Sequence, residues 1–191
     1  MNVLESAASN SRPVPVWWSQ NPKADSASSE VARVSAELRE TISRLFGRSL
    51  HIRTIDTGSC ASCESEIRLL TAPHYDLHRL GLFFTPAPRH ADCLLVTGPG
   101  ALAMDHALQA TYEAMPDPKI VVAVGACALG GVYVPDRFTH GGVGRLLPID
   151  VVIPGCPPSP LALLQGLLVG VDRLHTSINP DRFRFSGASR P

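Results

Sequence analysis

Residues 93–97 read Cys-Leu-Leu-Val-Thr and residues 120–124 read Ile-Val-Val-Ala-Val. Asp92 precedes the first run and Gly98-Pro99-Gly100 follows it, while Gly125 closes the second. A short, continuous apolar run between such bounds is the pattern of a strand covered on both faces. Strands of that kind occur in parallel sheets with helices on either side. These two stretches decide the fold, and the rest of the chain is read outward from them.

Between the two runs, residues 101–114 read as a helix. Upstream, Val31, Val34, Leu38, Ile42, Leu45 and Phe46 recur at steps of three and four. That spacing predicts one helix over 30–46, ended by Gly47. Residues 50–55 alternate like a strand, 64–70 read as a short helix before Pro73, and 80–85 as a second strand. Downstream, 149–153 is a further buried strand and 160–174 a last helix. Strands alternating with helices predict an α/β fold with a parallel sheet and flanking helices. No internal repeat is present. Residues 1–28 are rich in Ser, Ala, Asn and Pro and read as a mobile N-terminal arm, residues 29–175 as the folded domain, and 176–191 as a C-terminal tail. Trp17 and Trp18 stand out in the arm as a pair that packs either on a partner or back on its own domain.

The chain has 191 residues, enough for one domain with a core of its own. Lys+Arg and Asp+Glu both number 17, so the net charge is zero. This removes the electrostatic footprint expected of a nucleic-acid binder, and a neutral surface is consistent with one covered by a partner. The most apolar stretch, residues 161–171, is interrupted by Gln165, Gly166 and Gly170 and falls short of the roughly 18 residues of a spanning helix. The first twenty residues lack the charged start and apolar core of a signal peptide. The expectation is a cytoplasmic protein, where clustered cysteines point to metal binding or redox work before disulfides.

The cysteines are Cys60, Cys63, Cys93, Cys127 and Cys156. Cys93 lies inside a buried run and reads as a small apolar core residue. The other four follow predicted strands, in TGSCASC (57–63), GACALGG (125–131) and PGCPP (154–158). In a parallel sheet these loops open on one edge, at the carboxyl ends of the strands. Four converging thiolates suit an iron–sulfur cluster or structural zinc. One close pair followed by two distant singles favours the cluster, since structural zinc commonly uses two close pairs. The adjacent glycines allow positive φ and close approach of backbone to a bound group. The histidines His51, His74, His78, His90, His106, His140 and His175 form no ligand pair and read as solvated or core residues. Arg137 and Arg145, between Cys127 and Cys156, read as exposed loop residues, with a partner-facing role as the alternative. Gly141, Gly142 and Gly144 do not follow a strand and open a helix as a phosphate loop would, so a nucleotide-binding protein is disfavoured.

Four segments together, TGSCASCESEI, LLVTGPG, MPDPKIVVAVGACALGGVY and LPIDVVIPGCPPSPLAL, resemble the small subunit of about 20 kDa shared by NADH:quinone oxidoreductase (complex I) and the membrane-bound, energy-converting nickel–iron hydrogenases. The resemblance runs from about residue 50 to 172. It implies a flavodoxin-like fold and one 4Fe-4S cluster held by Cys60, Cys63, Cys127 and Cys156. It also implies an electron-transfer role between an iron–sulfur partner and a large catalytic subunit, with membrane association only indirect. Glu66 matches an acidic position near the cluster and is a candidate for proton coupling. The complex I branch typically has adjacent cysteines in the first loop, whereas two residues separate Cys60 from Cys63 here, which favours the hydrogenase-like branch. Ser159 replaces the arginine of PGCPPRP, Gly144 replaces a frequent aspartate, and GPGA at 98–101 departs from the usual motif. A complex I-type quinone oxidoreductase subunit is the alternative within the family. A zinc-stapled, non-redox assembly subunit is the alternative from another class.

Overall fold

The computed structural model describes residues 24–130, 135 and 137–178. Trp17, Trp18, most of the expected arm and the chain beyond residue 178 lie outside the described residues. Five strands, β1 (Leu50–Asp56), β2 (Leu82–Phe84), β3 (Cys93–Thr97), β4 (Ile120–Val124) and β5 (Val151–Ile153), form one sheet in the order β2-β1-β3-β4-β5. Every pairing is parallel, with Ile52 opposite Cys93, Cys93 opposite Ile120 and Val122 opposite Val151. This is the flavodoxin-like order, whose reversal of direction lies between β1 and β3.

Helices α1 (Ala24–Phe46), α2 (Ser62–Leu69) and α5 (Pro160–Ile178) cover one face of the sheet. Helices α3 (Asp105–Ala114) and α4 (Ala126–Gly130) cover the other. The two faces explain why β3 and β4 carry no alternation. Leu95, Val122 and Val124 point to the first layer, and Leu94, Val96, Val121 and Ala123 to the second. All are buried. Each such Leu or Val side chain contributes about 1.5–3 kcal/mol on leaving water. Cys93 is buried in the first layer, as its place in the run predicts.

The elements differ from the sequence-based expectation mainly at their ends. Helix α1 starts at Ala24, six residues earlier than the apolar spacing indicates. Residues 24–29 are Ala, Asp and Ser, which can extend a helix but carry no apolar signal. Only three residues of 80–85 pair as β2, because residues 77–80 close into a 3₁₀ turn with Leu77 and Leu80 buried. Helix α4 was not apparent in the sequence, where five residues around Cys127 are too few to show a period. In α5, Gly166 is needed for packing: a Cβ there would overlap the Ile153 side chain. Glycine thus lets this helix lie close against β5.

Candidate metal centre

The three cysteine loops leave the same edge of the sheet, at the carboxyl ends of β1, β4 and β5. Hydrogen bonds fasten them to one another. Gly125 N–H donates to the Ile153 carbonyl at 2.8 Å, and Ala126 N–H donates to the Gly155 carbonyl at 2.7 Å, joining the second loop to the third. Thr57 ties the first loop to the end of β3. Its hydroxyl donates to the Thr97 carbonyl at 2.6 Å and accepts from Gly100 N–H at 3.0 Å. Its carbonyl accepts from Ala101 N–H at 2.9 Å. The GPGA segment therefore has a local purpose, to wrap around Thr57. The Cys156–Pro157 bond is cis.

Cys60 and Cys156 are exposed, and Cys63 and Cys127 are half-buried. The four thiols lie within electrostatic reach of one another. Burial, followed by the nearby charges of Glu64, Cys127, Cys60 and Cys156, pushes the Cys63 thiol up to about 12. Burial also raises Cys127, with further contributions from Cys156, Cys60 and Glu64. Cys60 moves the other way, because hydrogen bonding to the Ser62 side chain favours its thiolate. Buried Cys93 is raised by burial and then by Asp92 and Asp150, none of them a member of this group. Among the described residues, no three His, Cys, Asp or Glu side chains are gathered tightly enough to hold a single metal ion. Gly125, with φ +88°, turns the second loop directly against Cys63.

Glu64 is the carboxylate that bears on this group, and nothing in the sequence distinguished it from an ordinary helix residue. Its Oε1 accepts hydrogen bonds from the Ser59 hydroxyl, at 2.8 Å, and from the Thr97 hydroxyl. It thereby holds α2 and the first loop against β3. Its other oxygen, Oε2, is buried and has no protein hydrogen-bond partner. Glu64 lines a cavity of about 200 Å³ together with Ile55, Ile67, Arg68 and Phe84. Such a volume admits water, the partner that a buried carboxylate oxygen requires. Glu66, two residues on, is half-buried on α2.

The remaining sequence candidates fall outside the group. Ser159, which stands where the family pattern has arginine, accepts from Ala162 N–H at 3.3 Å through its hydroxyl and so caps the start of α5. Gly144 occupies a 3₁₀ turn, Val143–Arg145. Arg137 is exposed, with its guanidinium 4.7 Å from the centre of the Phe138 ring, and Arg145 is exposed. His140 Nε2 lies 2.7 Å from Asp105 Oδ2, which pins the segment after α4 to the start of α3. None of the helices described is long and apolar enough to cross a membrane.

Comparison with known proteins agrees with this architecture. The family described as NADH ubiquinone oxidoreductase, 20 Kd subunit, matches residues 60–169, a span that takes in all four loop cysteines. A probable membrane-bound hydrogenase subunit of Pyrococcus furiosus is 42% identical over 132 residues, covering 69% of this chain and 79% of that protein. An NADH-quinone oxidoreductase subunit of Geobacter metallireducens is 43% identical over 118 residues, covering 62% of this chain and 69% of that protein. Among solved structures, a chain of the membrane-bound sulfane sulfur reductase, an archaeal respiratory membrane complex, superposes with a TM-score of 0.56 at 31% identity, covering 76% of this chain and 77% of that one. The chain therefore belongs to the NADH ubiquinone oxidoreductase 20 kDa subunit family, whose members are components of oxidoreductase complexes.

Proposed function

We propose that this chain is the electron-relay subunit of a hydrogenase-like complex and holds one 4Fe-4S cluster through Cys60, Cys63, Cys127 and Cys156. The observation that carries the proposal is the spacing of the four thiols. Their loops leave one edge of the sheet, and the charges of Cys60, Cys127 and Cys156 reach Cys63 while those of Cys60 and Cys156 reach Cys127. A 4Fe-4S cluster is held by four thiolates, and one close pair followed by two distant singles fits it better than structural zinc, which commonly uses two close pairs. The close approach of Gly125 to Cys63 further supports a loop shaped around a bound group.

When bound, such a cluster supplies one-electron transfer. The chain's own residues do the rest. Four thiolates anchor the group, and Thr57, Thr97 and Glu64 fix the first loop to the sheet. The layers around β3 and β4 give the loops a rigid base. Glu66 is proposed for proton coupling, and a Glu66→Gln variant with unchanged turnover of the assembled complex removes that role.

The partners proposed are a large catalytic subunit and an iron–sulfur donor subunit, with membrane attachment through the complex. The superposition on a chain of a membrane complex supports the last point. The two-residue separation of Cys60 and Cys63 favours the hydrogenase-like assignment. A quinone-reducing complex is the second reading, supported by similarity to NADH-quinone oxidoreductase subunits.

The test is anaerobic purification followed by iron, acid-labile sulfide and zinc analysis, with electron paramagnetic resonance after dithionite reduction. About four iron and four sulfide per chain with a reduced-cluster signal is the result expected. One zinc, no iron and no signal overturns the electron-transfer reading and leaves the zinc-stapled subunit.

A further inference from the structure

We infer that Ser62 is a redox-tuning residue, donating a hydrogen bond to the sulfur of Cys60 and raising the reduction potential of the group that Cys60 holds. The inference rests on the cluster reading above and goes beyond the ligand set.

The geometry is local and specific. Ser62 Oγ lies 3.3 Å from Cys60 Sγ in hydrogen-bonding arrangement. Once Cys60 is a thiolate it has no proton to give, so the hydroxyl is the donor. Ser62 is also the first residue of α2, whose N-cap position is Ala61 and which has no side-chain cap. The first N–H groups of a helix lack intrahelical acceptors and carry the positive end of its dipole. The Ser62 N–H adds to the hydroxyl in favouring the Cys60 thiolate.

A strained residue maintains this arrangement. Ala61 has φ +66° and ψ 1°, a left-handed conformation that a non-glycine residue rarely adopts. Ser59 helps to hold it, since its Oγ accepts from Ala61 N–H at 3.0 Å. Ser59 in turn donates to Glu64 Oε1. Strain of this kind persists only where surrounding contacts over-determine it. Here the turn at Ala61 brings the Ser62 hydroxyl and N–H back onto the preceding cysteine.

The sign follows from charge. Reduction adds one electron, and therefore one negative charge, beside the thiolates. A donor pointed at a ligand sulfur stabilises the more negative state and raises the potential. Cys63 has the opposite surroundings, buried and beside Glu64.

The test is a redox titration of the anaerobically prepared full chain, reduced stepwise with dithionite and followed by electron paramagnetic resonance. Wild type, Ser62→Ala, Ser62→Thr and Ser62→Val are compared, with iron and sulfide measured in each. Ser62→Ala should keep its cluster and show a lower midpoint. The expected shift is about a threefold to tenfold fall in the reduced-to-oxidised ratio at fixed potential, tenfold being 59 mV for one electron. Ser62→Thr should restore the wild-type midpoint, and Ser62→Val should resemble Ser62→Ala. The Thr and Val pair has matched shape, so it decides the matter even where Ser62→Ala loads poorly. Equal midpoints in Thr and Val overturn the inference while leaving the cluster intact. Absence of iron and signal in the wild type overturns the cluster reading and this inference with it.

Discussion

A Cβ placed on Gly125 falls 2.6 Å from the Sγ of Cys63, so the loop after β4 closes against the loop after β1 only with glycine at that position. Two segments 62 residues apart in the chain meet at one sulfur. The contact couples backbone shape in the second loop to the placement of a thiol in the first.

Gly125→Ala should therefore lose both stability and iron. The positive φ alone costs about 1–2 kcal/mol in an alanine, and the overlap displaces Cys63. Gly144→Ala is the control, because its Cβ meets nothing nearer than Ile149 Cγ1 at 3.8 Å. Thermal unfolding and iron content of the two variants check the point. Full iron and wild-type stability in Gly125→Ala would show that the close approach is dispensable.

The cysteines should separate into two classes. Serine at 60, 63, 127 or 156 is expected to cut bound iron sharply while leaving the fold, since Cys60 and Cys156 are exposed, Cys63 and Cys127 are only half-buried, and serine is close to cysteine in size. Cys93→Ala should bind iron normally and lose about 1 kcal/mol through the small cavity it leaves in the core. In the native, metal-free chain, iodoacetamide should label exposed Cys60 and Cys156 fastest, half-buried Cys127 and Cys63 more slowly, and spare Cys93. Loading with iron and sulfide should then protect all four. Mass spectrometry of the labelled peptides reads the result.

Charge at Glu64 should act in the opposite sense to Ser62. Glu64→Gln keeps an oxygen to accept from Ser59 and Thr97 but removes a negative charge that bears on Cys60, Cys63 and Cys127. The midpoint should rise, as loss of a negative charge favours the reduced state. Glu64→Ala should in addition cost about 1–3 kcal/mol by leaving the Ser59 hydroxyl without its acceptor and the Thr97 hydroxyl with only the Ile55 carbonyl at 3.4 Å. Redox titration and denaturant unfolding separate the two effects.

At the far end of the sheet, Asp92 should matter for folding alone. Its carboxylate is nearly buried and accepts from Arg48 at 2.7 and 3.2 Å and from His51 N–H at 2.8 Å. Asp92→Ala leaves the His51 N–H without its acceptor and frees an arginine that is largely exposed, so the loss should be about 1–3 kcal/mol. Iron per folded chain should be unchanged. A loss of iron without a loss of stability would place Asp92 in the wrong role.

The order of the loops was legible because burial on both faces leaves a continuous apolar signature. The runs 93–97 and 120–124 coincide with β3 and β4, and the steps of three and four located the covered face of α1. The cysteine motifs lie after β1, β4 and β5, so the four cysteines could be named together with the sheet edge they share. Other features were not legible, for physical reasons. Residues 77–80 and α4 are shorter than the period that would reveal them. Glu64 looks like any carboxylate in the first turn of a helix until Thr97, 33 residues on, is brought to its Oε1. Ser62 looks like a spacer between two cysteines until the left-handed turn at Ala61 folds it back on Cys60. Local composition and spacing determined which segments are buried and which residue types line the edge. The meeting of Gly125 with Cys63, and of Glu64 with Thr97, was decided by the parallel packing of β1, β3 and β4, because contacts between distant segments depend on sheet order and backbone φ that local spacing does not encode.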